Sequence, residues 1–306
     1  MGEATYIQIK QVDGYITKLS LYESPMKKGA SILILHGMAE HQDRYQHFVD
    51  YLNRSGYDVY IYDHRGHGKE RRLFELGYIA SENGHQLVVS DVITITEYIK
   101  RNHCNDKLFL LGHSMGSLIA RNVIQSYDQY DGIILTGTMF PPKLMVRCAL
   151  GLAIISKKFK GAKKLSPFLN NLLFGNKYYS SLSSRTVFDW LTRSNPIVGA
   201  YIHDPYCGFI CTTSFYQDLL TLTLNSSRSN LILKTRKDIP LFLLSGEKDA
   251  VSSYGKEIKK YLAVLKDLEF TNVNSRLYKN CRHEILNELN REEIYSDLSA
   301  WVSDHL

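Results

Sequence analysis

A serine held between two glycines, Gly112-His113-Ser114-Met115-Gly116, is the part of this 306-residue chain best suited to chemistry. Apolar residues run without interruption from 108 to 111 before it, which suits a strand buried on both faces, and helical spacing follows Gly116. Glycine at both flanking positions lets a strand turn sharply into a helix without a Cβ clash, raising the serine hydroxyl above the sheet edge. The first N–H groups of the new helix have no internal acceptors and point at negative charge forming beside Ser114. Two more residues have matching chemistry. Asp249, in Ser245-Gly246-Glu247-Lys248-Asp249, and His283, in Asn280-Cys281-Arg282-His283, each stand just past a predicted strand. A neutral histidine can take the serine proton during attack on a carbonyl, while an ionised aspartate fixes the ring's tautomer and stabilises the imidazolium. Singly, each has an ordinary alternative: a chance glycine pattern, a turn-forming aspartate, a surface histidine. Their joint occurrence at strand ends favours catalysis.

The elements that must position these residues follow from periodicity. Strands are predicted over 5–10 and 15–21, joined by a turn at Val12-Asp13-Gly14, and then over 31–35 and 58–62. Helices are predicted from the 36–41 loop to about Ser55 and over 87–101, before the serine strand and its helix, and a further strand covers 132–135. This alternation argues for a mostly parallel, doubly wound α/β sheet, whose ligands bind at the carboxyl ends of the strands. It stops near Gly137 and resumes with strands at 241–244 and 276–278, a helix over 254–266, and a last helix to about His305 with Asn290 and Glu293 as its capping pair. The domains are therefore a core of 1–136 and 238–306 and a helical insertion of 137–237.

The insertion carries the chain's basic character. No Asp or Glu occurs from Gly132 to Phe188, while Lys143, Arg147, Lys157, Lys158, Lys160, Lys163, Lys164, Lys177 and Arg185 supply nine positive charges. Removing those nine from the net charge of +6 leaves −3 for the remainder. Leu144, Met145, Leu150, Leu152, Ile154 and Ile155 lie among them. Two readings fit: an amphipathic surface for anionic lipid, or a solvated basic face over a buried apolar one. Nucleic acid is disfavoured, since no helix-turn-helix or RNA-binding signature occurs.

Other classes find no motif. No run approaches the ~18 consecutive apolar residues of a membrane span. The first ten residues lack the basic and apolar segments of a secretory signal, and Tyr6 stands where a myristoylation motif needs Ser or Thr. Cys104, Cys148, Cys207, Cys211 and Cys281 form no C-x-x-C pair, so a reducing cytoplasm is expected. His203, Cys207 and Cys211 recur every four residues without an evident fourth zinc ligand, and Asn287 stands where a zinc protease helix beginning His283-Glu284 would need histidine. Gly66-His67-Gly68 lacks the third glycine of a dinucleotide fingerprint. No cofactor and no metal are expected.

The order Ser, Asp, His is that of the α/β-hydrolase fold. The stretches H-G-M-A-E-H (36–41), D-H-R-G-H-G (63–68), G-H-S-M-G (112–116), G-E-K-D-A-V (246–251) and R-H-E (282–284) resemble the monoacylglycerol lipase and lysophospholipase branch of the α/β hydrolases, the serine aminopeptidase S33 type. The resemblance spans nearly the whole chain and reaches into the insertion at Arg193, Asn195-Pro196 and Asp204-Pro205. It implies Ser114 as nucleophile, Asp249 and His283 as its partners, the N–H groups of Met38 and Met115 as the oxyanion hole, and the insertion as a cap. The chain departs from the family pattern at Lys69-Glu70 and at Ser117, where a glycine is common after the elbow.

The expected function is hydrolysis of a lipid carboxylic ester through an acyl-enzyme, with a mobile cap selecting chain length and peripheral contact with a membrane. A small-ester carboxylesterase or thioesterase is the alternative. A serine aminopeptidase gripping a free amino terminus would want cap carboxylates, which the insertion lacks before Asp189. A non-catalytic binding protein would not require the whole constellation.

Overall fold

The computed structural model describes residues 3–102, 107–175 and 185–306, so Cys104 and Lys177 lie outside the described residues. Eight strands form one sheet: β1 (Thr5–Lys10), β2 (Ile16–Tyr22), β3 (Ala30–Leu35), β4 (Asp58–Tyr62), β5 (Lys107–His113), β6 (Gly132–Thr136), β7 (Leu241–Gly246) and β8 (Val273–Tyr278). Their order is β1-β2-β4-β3-β5-β6-β7-β8. The first hairpin and the β2–β4 pair are antiparallel, and every later pair is parallel. This is the mostly parallel α/β-hydrolase sheet.

The continuous apolar runs become the strands covered on both faces, because β3, β4, β6 and β7 are buried along their whole length. Alternate residues separate two cores. Ile32, Ile34, Phe109 and Leu111 face α1 (Gln46–Arg54) and, with Leu244, the last helix. Leu33, Leu35, Leu108 and Leu110 face α2 (Gly84–Asn102) and α3 (Met115–Val123). β8 begins earlier than its sequence suggests, since this edge strand is largely exposed and carries little apolar signal.

Between β6 and β7 the chain forms α4 (Lys143–Lys160), α5 (Pro167–Phe174), α6 (Asn195–His203), α7 (Thr213–Ser226) and the short α8 (Ser229–Ile232). α7 is buried nearly all round, between α3 below and α4 above. Arg121 of α3 is fully buried and ties down both ends of the insertion, donating to the carbonyls of Met139 (2.8 Å) and Ser226 (2.6 Å). The chain closes with α9 (Lys256–Asp267) and α10 (Arg291–Ser303). Asn290 precedes α10 as expected, but its amide donates to the Glu293 carboxylate at 3.0 Å and no side chain caps the helix backbone.

Candidate active site

Ser114 sits between β5 and α3 with φ +52° and ψ −115°, a strained conformation for a residue with a side chain. Its N–H donates to the Thr136 carbonyl at 2.9 Å, so the neighbouring strand holds the turn. The flanking glycines are required by close approach. A Cβ on Gly112 would fall 2.4 Å from the Gly116 carbonyl oxygen, and one on Gly116 would fall 2.1 Å from that of Leu35. Ser117 turns its hydroxyl back to the Ser114 carbonyl at 2.6 Å.

The loops after β7 and β8 bring the other two residues to the same edge. His283 Nε2 lies 2.9 Å from Ser114 Oγ, and its Nδ1 lies 3.0 Å from Asp249 Oδ1. Asp249 is fully buried and also accepts from the Val251 N–H (2.8 Å) and the Ser245 hydroxyl (3.2 Å). Burial alone would raise its carboxyl pKa, but the charge and hydrogen bond of His283, with these two donors, hold it below the usual range. Burial likewise opposes charge on His283. The Asp249 carboxylate outweighs it, helped by Glu284 and Glu40, and the imidazole sits above its ordinary 6.5. The adjacent His113 has no such partner and is pushed down by burial to about 4. One ring beside Ser114 is thus tuned to accept a proton near neutral pH, and the other stays neutral.

The 36–41 loop faces Ser114 from the end of β3. Glu40 accepts from the Gly37 N–H at 2.5 Å and from the Tyr45 hydroxyl at 2.9 Å. His67 accepts from the Ala39 N–H at 3.1 Å, and the Ala39 carbonyl takes the Tyr201 hydroxyl and the Gly208 N–H, both at 2.9 Å. Ala39 is held with φ +53°. Among the described residues no acceptor meets the N–H of Met38 or of Met115. Two donors, one from this loop and one from the start of α3, are therefore without acceptors beside the serine, as an oxyanion hole requires.

Several residues of the site had no signal of their own in the sequence. Arg44 bridges Glu40 and Glu284, donating to both Glu284 carboxylate oxygens at 2.7 and 2.6 Å. The loop bearing His283 is thereby tied to the loop bearing Met38. The Glu40–Arg44 spacing of four was visible, but Glu284 joins only through the fold. Trp190, from the insertion, lies with its ring centroid 5.3 Å from that of His283, and its carbonyl accepts the His283 N–H at 3.4 Å. The four-residue repeat does not converge as a metal site. His203 is exposed and bonds the Gly199 carbonyl, Cys211 is buried in the apolar core, and Cys207 approaches His41 and Asp204 instead.

Two neighbouring cavities share walls, and one of them opens at the serine. One of about 390 Å³ is bounded by Ser114, His283 and Met38 together with Phe209 and Trp190. The other, about 310 Å³, lies under α4 among Met145, Val146, Ala149, Leu152 and Leu172. Met139, Phe174, Leu219 and Val251 belong to the walls of both, so the two cavities are separated by apolar side chains alone.

Comparison with known proteins gives the family and the fold. Residues 26–290 match the family model described as serine aminopeptidase, S33. A phospholipase, YtpA, of Bacillus subtilis is 27% identical over 282 residues, covering 90% of this chain and 96% of its own. A monoacylglycerol lipase of Mycolicibacterium smegmatis is 24% identical over 281 residues, covering 90% and 88%. Among solved structures, a thermostable carboxyl esterase from Bacillus coagulans superposes with a TM-score of 0.90 over 99% of both chains; at 22% identity it shows the shared fold.

Proposed function

This chain belongs to the serine aminopeptidase S33 family of α/β hydrolases, on its monoacylglycerol lipase and lysophospholipase side, and we propose that it hydrolyses lipid carboxylic esters through Ser114. His283 Nε2 takes the Ser114 proton as Oγ attacks the ester carbonyl carbon, and Asp249 holds the imidazolium that forms. The N–H groups of Met38 and Met115 receive the oxyanion. His283 then protonates the leaving alcohol, and water repeats the cycle on the acyl-enzyme. The observation that carries this reading is the hydrogen-bonded chain Ser114–His283–Asp249 facing a cavity that shares apolar walls with a second one under α4.

Esters are favoured over peptides with a free amino terminus by the state of the carboxylates near the serine. Among the described residues, Glu40 and Glu284 are the acids lining the cavity at Ser114, and both are occupied by Arg44. In the second cavity Glu257 accepts the Phe140 N–H and the Ser253 hydroxyl. A substrate ammonium meets no carboxylate there that lacks hydrogen-bond partners.

The segment 137–237 acts as a cap, and α4 is its contact with lipid. α4 turns a stripe of small or modest residues, Val146, Ala149, Ala153 and Ser156, toward the protein. Other large apolar residues point outward: Leu144 is 73% exposed and Phe159 81%, with Ile154 and Ile155 also exposed. Exposed lysines Lys158, Lys160 and Lys164 lie at its C-terminal end and just beyond. This inverts the usual water-soluble helix and suits an apolar layer beneath anionic head groups. No described helix is long and apolar enough to cross a membrane, so the contact is peripheral.

The test is labelling with a fluorophosphonate probe, followed by turnover of a chain-length series of acyl esters, monoacylglycerols and lysophospholipids. Each methylene buried against these apolar walls contributes about 0.8 kcal/mol, close to fourfold in kcat/KM, until the space is filled. Acetate and butyrate esters cleaved better than decanoate would make the protein a small-ester carboxylesterase.

A further inference from the structure

Away from the serine, side chains from two distant segments meet with the chemistry of metal ligands. His41 ends the 36–41 loop, while Asp204 and Cys207 belong to the turn Asp204-Pro205-Tyr206-Cys207 between α6 and α7. A ring nitrogen of His41, a carboxylate oxygen of Asp204 and the Cys207 sulfur all lie within 4.8 Å of one another. The Cys207 N–H donates to the Asp204 carbonyl at 3.0 Å, and this closed turn brings the i and i+3 side chains together, as a C-x-x-C knuckle does for zinc. We propose that His41, Asp204 and Cys207 bind a thiophilic divalent cation, zinc above all, which clips the insertion to the loop bearing Met38.

The state of His41 supports this. Its Nε2 lies 2.9 Å from Asp204 Oδ2, while its buried Nδ1 has no hydrogen-bond partner and faces the Asp43 carboxylate at 3.8 Å. A cation between Nε2 and the Asp204 carboxylate would be met by both. Nδ1–H then points to Asp43, the carboxylate–histidine–metal arrangement of zinc sites. A cavity of about 260 Å³ borders all three residues and leaves room for a water as fourth ligand.

The nearby cations are already engaged: Lys69 pairs with Asp43 at 3.0 Å, and Arg44 with Glu40 and Glu284. Tetrahedral ligands at zinc distances are roughly 3.3–3.5 Å apart, so the widest separation closes by about 1 Å on binding. The Cys207 proton passes to solvent as the sulfur–metal bond forms. The same turn already holds the loop through the Gly208 N–H and the Tyr201 hydroxyl on the Ala39 carbonyl, and the metal adds a further tie.

Titration of the full chain with Co²⁺, read by absorbance, and with Zn²⁺, read by equilibrium dialysis and thermal melting, tests the site. A thiolate-to-cobalt charge-transfer band, a single zinc per chain and a higher Tm with zinc are expected. The band should vanish in Cys207→Ser and persist in Cys148→Ser, which alters an exposed thiol. Asp204→Asn keeps the thiol and should weaken zinc binding about tenfold or more, which covers the case of a Cys207→Ser variant that fails to fold. A folded parent with neither band nor stoichiometric zinc would reduce the trio to an ion pair beside a thiol. A band surviving in Cys207→Ser would move the metal elsewhere, and undiminished zinc binding in Asp204→Asn would remove the carboxylate from the site.

Discussion

The edge of the sheet at Ser114 and the outer face of α4 are built on opposite rules. At the edge, polar groups are met from several directions: Asp249 by three donors, Ala39 by His67, Tyr201 and Gly208, and Glu40 by Arg44, Tyr45 and Gly37. On α4, apolar groups as large as Phe159 and Leu144 face outward while small ones are buried. The first region is finished within the chain, so it holds reacting atoms in fixed geometry. The second is complete only against another surface. Chemistry and substrate delivery should therefore fail separately when each region is altered.

The largest separation is expected from Ser114→Ala, which removes the attacking oxygen and leaves α4 untouched. Loss of a triad nucleophile can cost about a millionfold in kcat, on soluble and lipid esters alike, with vesicle binding preserved. Near-normal turnover measured on any ester would end the assignment. Asp249→Asn comes next. An amide can pair with the wrong tautomer of His283, and a fall of about ten-thousandfold in kcat is expected, with little change in KM for a short ester.

The pH profile sharpens the comparison without mutation. His283 acts as a base only when neutral, and its environment holds its pKa above 6.5, so kcat/KM on an uncharged ester should fall about tenfold per pH unit below a midpoint above 6.5. A profile flat to about pH 4 would contradict a histidine base. Vesicle binding, carried by α4, should not follow that midpoint.

The smallest effect on chemistry is expected from α4 itself. Lys157 is omitted from the variant because it pairs with Glu82 at 2.8 Å. Replacing Lys158, Lys160 and Lys164 with Gln, and Phe159 with Ser, should weaken flotation with anionic vesicles and leave hydrolysis of a short soluble ester within about twofold. Binding by the parent should decline with salt, because charges at a wet surface are screened over ~10 Å at 0.1 M ionic strength. If the parent does not bind vesicles, or binds as well after these changes, the exposed apolar face has another purpose.

By itself the sequence pointed to the sheet and to Ser114, Asp249 and His283, whose side chains meet in the fold. Short apolar runs at 32–35, 59–62, 108–111, 133–135 and 241–244 suit strands buried on both faces, and that information is local to each run. Gly112 and Gly116 are likewise legible, since backbone approach within 2.4 Å excludes every other residue. Tertiary structure decided what depends on partners. Glu284 completes the Arg44 bridge from 240 positions away, and Trp190 reaches His283 from the insertion, because two loops meet only after the strands beneath them have paired. The side of α4 that faces outward was also undecided in its sequence, where apolar and basic residues occur all round. α7 settles it by lying against α4, since close helix packing selects the small residues Ala149, Ala153 and Ser156 and turns the large ones away. His41, Asp204 and Cys207 meet for the same reason: a ligand set drawn from two segments is fixed by the fold between them.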